Sequence, residues 1–238
     1  TAVPWRARDL FFALVAMLIG IGALNVSILL LDRVGGGALK ENRDALTFFL
    51  ILQEAIILAA AWLFSVARYR AAWAQLGLRS FNAPMGCAWA FGLLIASYAL
   101  RFCYLAGAFA FGVRLNAQSV VNVLSTTGVG LWLTFIAAGV AAPIAEEIFF
   151  RGFMYGGLRA HVGIIPALLI SATIFTALHF TLELFIPIFI LGIFLAWLYE
   201  KSGSLVPGML LHSANNSIAI LALVIVQATG TQIILKGL

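Results

Sequence analysis

Three short runs in the C-terminal half of the chain carry side chains that could move protons and stabilise developing charge. They are Glu146-Glu147-Ile148-Phe149-Phe150-Arg151, Phe175-Thr176-Ala177-Leu178-His179 and His212-Ser213-Ala214-Asn215-Asn216. Residues four apart share a helix face, so Glu147 and Arg151 can form an ion pair. Glu146 points about 100° away, on the side of Phe150, because 3.6 residues make a turn. The spacing thus gives one neutralised carboxylate and one that needs another partner, and the second kind is suited to general acid–base work. Phe175 and His179 share a face by the same rule, as do His212 and Asn216.

A Glu and two His residues could hold and activate one water molecule, while Asn216 and a His could donate hydrogen bonds to an oxyanion. Each run also has a plainer reading: a solvated helix end, a structural His, and amide hydrogen bonds to a neighbouring helix. Three helices that each bring polar groups with an i,i+4 partner, in spans with little else polar, point instead to one shared site.

The elements that must position these groups are long apolar runs. A membrane span takes ~20 apolar residues. Seven stretches qualify: Leu10–Leu31, Ala45–Ala67, Pro84–Val113, Val129–Leu158, Gly163–Phe180, Glu183–Tyr199 and Leu205–Ala228. Pro207 suits the first turn of the last helix, and Lys201-Ser202-Gly203-Ser204 reads as the turn before it. The runs are continuous rather than alternating, which selects helices over a barrel. The expected fold is all-α, a polytopic transmembrane bundle of about seven spans with a polar intramembrane cavity. It forms one membrane domain over residues 1–238, with N-terminal spans in 1–128 and motif-bearing spans in 129–228.

Composition agrees. Of 238 residues, 63% are hydrophobic and 10% charged, with a mean hydropathy of +1.09, whereas a soluble domain carries about a quarter charged residues. The net charge of +5 is spread over short loops and forms no basic face, so nucleic acid is not an expected partner. Basic loops in such a chain report topology and contact with anionic lipid. With seven spans, Arg6, Arg8, Arg68, Arg70, Arg79, Arg159 and Lys201 lie on the N-terminal side, against Arg33, Lys40, Arg43, Arg114 and Lys236 on the other. That asymmetry favours a cytoplasmic N-terminus. The first apolar run is too long for a signal-peptide core and reads as a retained span.

Cys87 and Cys103 fall in one helix, roughly 24 Å apart at ~1.5 Å per residue, and are expected to be free thiols. Glu54 and Arg101 sit near the centres of the second and third spans and are expected to pair, since each alone would be costly in lipid. Trp5, Trp62, Trp73, Trp89 and Trp197 fall mostly near span ends and read as interfacial anchors. Gly152 and Gly156 read as a site of close helix packing.

The ordered set Glu146-Glu147-x-x-x-Arg151, Phe175-x-x-x-His179 and His212-x-x-x-Asn216 resembles the CPBP family of intramembrane proteases, which includes the CAAX prenyl endopeptidases and bacterial Abi-type proteins. The resemblance covers the last four expected spans. It implies that Glu146 is the general base activating water, that Glu147 and Arg151 are its supporting pair, that His179 helps to bind the water or a metal, and that His212 and Asn216 stabilise the oxyanion. No cofactor is obligatory in this reading. Zinc is the alternative, with Glu146, His179 and His212 as candidate ligands and the fourth position left for water, although the chain has no H-E-x-x-H helix.

The expected partners are membrane lipid, a peptide or membrane-protein substrate and, in an alternative reading, a membrane protein complex. The expected location is a bacterial-type plasma (inner) membrane. Two other readings stay open: a non-catalytic accessory or immunity protein with this fold, and an ion- or proton-coupled transporter. Against the transporter, no inverted-repeat signature is visible.

Overall fold

A computed structural model describes residues 3–113 and 124–229. Arg114 and Lys236, used above for topology, lie outside the described residues. Among the described residues, six helices are long and apolar enough to cross a membrane: α1 (Ala7–Val34), α2 (Arg43–Ala67), α3 (Ala83–Ala110), α4 (Gly128–Val162), α6 (Leu182–Ser202) and α7 (Val206–Ala228). A shorter apolar helix, α5 (Ile164–Ala177), stands where the fifth span was expected. The architecture is therefore an all-helical polytopic bundle, in which every backbone N–H and C=O that meets lipid is satisfied within its own helix.

Helix starts follow local chemistry. Asn42 accepts a hydrogen bond from the Ala45 N–H at 3.0 Å, and Asn82 accepts one from the Met85 N–H at 3.1 Å, so each amide side chain satisfies a donor that the first turn would leave orphaned. Pro84 and Pro207 sit in first turns, where their missing N–H costs nothing. The turn before α7 has Gly203 in the left-handed region, φ 68°. It is tied to the loop before α3 by Leu205 N–H donating to the Gly77 carbonyl at 2.9 Å and Ser204 Oγ donating to the Arg79 carbonyl at 2.7 Å.

The centre of the bundle is α4, which packs against α1, α2, α5, α6 and α7, while α3 lies on α6 and α7. Two stretches of α4, Phe135–Ala141 and Glu147–Tyr155, wind as π-helix around the α-helical Ala142–Glu146. Pro143 gives a reason for the first. The Ala142 N–H bonds to the Ala137 carbonyl, so the Ala138 carbonyl would next look to residue 143, and proline has no N–H to offer. All nine residues of Glu147–Tyr155 are buried, as befits a segment surrounded by other helices.

Trp5 departs from the expectation of an interfacial anchor. It is 2% exposed, and its Nε1 donates to the Phe153 carbonyl at 3.0 Å with its ring against that of Phe153. The expected Glu54–Arg101 pair is also not formed. α2 packs its Glu54 side on α4, and α3 carries Arg101 to α7, so the two residues meet different neighbours. Cys87 and Cys103 are free, as expected.

Gly152 is a close-approach site. A Cβ there would lie 2.4 Å from the Leu76 carbonyl oxygen, a backbone atom with little freedom to yield. The Gly156 position is looser, with its nearest neighbour at 3.7 Å. Gly152→Ala is expected to destabilise the protein by about 1–3 kcal/mol, the usual cost of overpacking a tight interior. Gly92→Ala, where a Cβ meets nothing within 4 Å, is expected to leave the thermal melt in detergent unchanged. Equal melts for the two variants would remove the constraint assigned to Gly152.

Candidate active site

The site is built outward from one ion pair. Arg151 Nη1 donates to Glu147 Oε1 at 2.9 Å, and both side chains are 0% exposed. The i,i+4 spacing holds even though this part of α4 winds as π-helix. Arg151 makes two further contacts. Its Nη2 donates to the Gly192 carbonyl on α6 at 3.4 Å, and its guanidinium lies 4.1 Å above the centre of the Phe175 ring. A desolvated guanidinium over an aromatic face is attracted by the ring quadrupole. Two glycines leave room for this arrangement. A Cβ at Gly208 would lie 3.1 Å from Glu147 Oε2, and one at Gly192 would lie 3.2 Å from the Ala172 Cβ.

Glu147 Oε1 also receives His212 Nδ1, at 3.2 Å. A carboxylate can only accept, so Nδ1 carries the hydrogen and the imidazole is held in one orientation. The opposite nitrogen, Nε2, then faces Glu146 Oε2 at 3.6 Å. Glu146 and Glu147 therefore both contact the same imidazole, one at each nitrogen, rather than serving separate partners. Glu146 is the more accessible of the two, with 14% of its side chain exposed against 0% for Glu147.

Phe175 joins the rest. Its ring lies 4.7 Å from that of His179 and 5.9 Å from that of His212, both edge-on, and 5.2 Å from Phe150. The two imidazoles and the Arg151 guanidinium thus touch one phenyl ring, which brings α4, α5 and α7 to a single place. His179 Nδ1 donates to the Phe175 carbonyl at 2.8 Å, which leaves Nε2 as the ring nitrogen available to another partner. Asn216 lies one turn beyond His212. Its Nδ2 donates to the Ala138 carbonyl at 2.9 Å, the carbonyl that Pro143 and the wide turn leave without a backbone donor.

Glu54, on α2, is 6% exposed and interacts electrostatically with Glu146. Three carboxylates and one guanidinium therefore gather in the interior. The Oε2 atoms of Glu54, Glu146 and Glu147 are buried and find no hydrogen-bond partner among the described residues. Also among the described residues, no three of His, Cys, Asp and Glu form a group that could hold a metal ion. A cavity of about 510 Å³ opens beside Glu41, Asn42, Arg43 and Asp44, and none of the motif residues lines it.

Sequence spacing signalled every motif residue but not Glu54 as a neighbour of Glu146, nor the role of Phe175 as the common ring. The wide turn at Pro143 had a visible signal, a proline in mid-helix. The meeting of Glu54 with Glu146 depends on interhelical packing and left none.

Comparison with known proteins agrees with the motif set. Residues 128–218 match the family model described as type II CAAX prenyl endopeptidase Rce1-like. The chain is 27% identical over 111 residues to the UPF0177 protein YxdF of Lactococcus lactis subsp. lactis (strain IL1403), covering 43% of this chain and 60% of that one. It is 27% identical over 106 residues to YdiL of Bacillus subtilis (strain 168), provisionally named a membrane peptidase, covering 44% of this chain and 42% of that one. The chain thus spans about half the length of these curated relatives. No solved structure matches it. All of the motif residues fall inside the matched segment, whereas Glu54 and Arg101 fall outside it.

The Arg151 contacts set an expectation for that residue. Lysine keeps the charge but not the flat face over Phe175 or the forked reach to both Glu147 and Gly192. Arg151→Lys and Arg151→Met are therefore both expected to lower the thermal midpoint strongly, with Arg151→Met costing about 3–5 kcal/mol, as for a buried pair that loses one partner. A wild-type melt for Arg151→Lys would show that charge alone is sufficient.

Proposed function

We propose that the protein is an intramembrane endopeptidase that hydrolyses a peptide bond with water activated by Glu146. The observation that carries this reading is the placement of Glu146 against His212 Nε2, with the other face of that imidazole held by the fully buried Glu147–Arg151 pair. In this reading the water sits between Glu146 and the imidazoles. Glu146 takes its proton as the hydroxide attacks the scissile carbonyl, and later returns a proton to the departing amine. Asn216 donates to the oxyanion, while His212, whose Nδ1–H is committed to Glu147, accepts from the water through Nε2. Glu147 and Arg151 act through His212 by fixing its tautomer and position, and His179 presents Nε2 to the water. A metal is not required by this scheme, and no step passes through one.

The substrate class is a peptide or membrane-protein segment reached within the bilayer, in keeping with the likeness to CAAX prenyl endopeptidases. We assign the protein to a bacterial-type plasma (inner) membrane, with its N-terminus in the cytoplasm.

The test is a cleavage assay of the purified chain in detergent, using a library of internally quenched peptides, with a thermal melt for each variant. Glu146→Gln keeps the shape but cannot accept a proton. It is expected to lose activity by at least 10²-fold, within the range of general acid–base effects, with an unchanged melt. Glu147→Gln is expected to lower both activity and stability, because it strands Arg151 and weakens the hold on His212. Wild-type cleavage by Glu146→Gln would remove Glu146 as the base, and a wild-type chain that cleaves none of the peptides would favour a transporter or accessory protein. Chelators are expected to leave cleavage intact. Inactivation by a chelator with rescue by zinc would replace the proposed scheme with a metal-dependent one.

A further inference from the structure

Arg101 lies on α3, outside the segment that carries the motifs, yet it reaches the site's amides. Its Nη2 donates to Asn215 Oδ1 at 3.3 Å. Asn215 Nδ2 donates to Asn216 Oδ1 at 3.1 Å, and Asn216 Nδ2 donates to the Ala138 carbonyl at 2.9 Å. This chain of hydrogen bonds has a direction that chemistry alone dictates. A guanidinium can only donate and a backbone carbonyl can only accept. With those two groups at its ends, both amides must point their oxygens towards Arg101 and their nitrogens towards Ala138. The polarity agrees at both ends, so it does not rest on which amide atom was taken as oxygen.

Arg101 is itself held. Its guanidinium lies 5.1 Å from the centre of the Tyr98 ring, one turn earlier on α3, and Tyr98 Oη donates to the Asn215 backbone carbonyl at 3.1 Å. Tyr98 and Arg101 therefore grip Asn215, which is 5% exposed, by its backbone and its side chain together. Asn216 alone would be tied to Ala138 by one hydrogen bond, about which its amide plane could pivot. The second bond, from Asn215 to Oδ1, fixes that plane and leaves one N–H of Nδ2 for another acceptor.

Taking the protease reading as its basis, we propose that Arg101 is a positioning residue which, through Asn215, fixes the amide of Asn216 so that its remaining N–H meets the developing oxyanion. The cationic end also polarises the chain, and bonds linked in series strengthen one another. This gives the third helix, which contributes none of the motif residues, a defined part in the reaction.

The test uses the full chain in detergent and a peptide that the wild type cleaves. Arg101→Met is expected to lower kcat about tenfold with KM unchanged, and Arg101→Lys to recover most of the loss. Asn215→Asp is the sharper variant. It strengthens the contact with Arg101 but can no longer donate to Asn216, so it is expected to lower kcat as much as Arg101→Met does while keeping the wild-type melt. In an Asn216→Ala background, Arg101→Met is expected to cost less than a further twofold. Wild-type kcat in Asn215→Asp, or a full tenfold loss from Arg101→Met on top of Asn216→Ala, would overturn the relay.

A second readout does not depend on cleavage. In protein labelled with ¹⁵N at asparagine, and with Asn216→Asp used to assign the signal, the Asn216 side-chain amide is expected to exchange its hydrogens slowly in the wild type and faster in Arg101→Met and Asn215→Asp. Equal exchange in all three would also overturn the relay. A wild-type chain that cleaves no peptide would count against the protease reading, while the exchange rates would still decide whether Arg101 orders Asn216.

Discussion

The Glu147–Arg151 pair is the constraint on which the rest of the site depends. Two opposite charges with no exposure are costly to bury unless neighbours supply further contacts, and here those contacts come from three other helices, although Glu147 Oε2 and Arg151 Nε find no hydrogen-bond partner among the described residues. Arg151 takes the Phe175 face from α5 and the Gly192 carbonyl from α6, and Glu147 takes the His212 imidazole from α7. Buried ion pairs are weak sources of stability but can specify one arrangement over its competitors. In this molecule the arrangement so specified leaves His212 Nε2 facing Glu146.

Much of this was legible in the sequence, for a physical reason. Lipid forces each apolar run to satisfy its own backbone, so Leu10–Leu31 and Leu205–Ala228 could be read as helices without any tertiary information. The Glu147–Arg151 pair was legible because an i,i+4 contact is local. The expectation that Glu146 stands on a face apart from Glu147 was only half sufficient. Turn geometry separates the two carboxylates along the helix, but His212 is long enough to touch both. Pairing Glu54 with Arg101 followed from their similar depth in neighbouring spans, and depth does not say towards which neighbour a helix turns. Trp5 was misread for the same reason: closeness to a span end suggests an interfacial ring, and only the packing of Gly157, whose Cβ would lie 2.7 Å from Trp5 Nε1, shows that the indole is buried.

The wide turns of α4 connect local strain to chemistry. Pro143 removes a backbone donor four residues ahead of Glu147 and leaves the Ala138 carbonyl to be satisfied by Asn216. A cost in helix regularity thereby becomes an anchor for an amide on another helix. Departures from α-geometry of this kind recur at functional sites, and here the link is a specific hydrogen bond rather than an association.

The chain is synthesised from its N-terminus, so the bundle's polar contacts have an order in time. Arg101 enters the apolar phase 114 residues before Asn215 exists to receive its hydrogen bond, and Glu54 enters before α4 has been made. Each is a charge-bearing group that costs at least ~2.5–3.5 kcal/mol near the centre of an isolated span. The surrounding residues must carry that cost: an 18-residue stretch of α2 has a mean hydropathy of 2.1, and one of α3 has 1.6. α3 has the smaller margin and the later partner. Until α7 arrives, α3 is a helix whose place in the bilayer depends on a neighbour not yet translated.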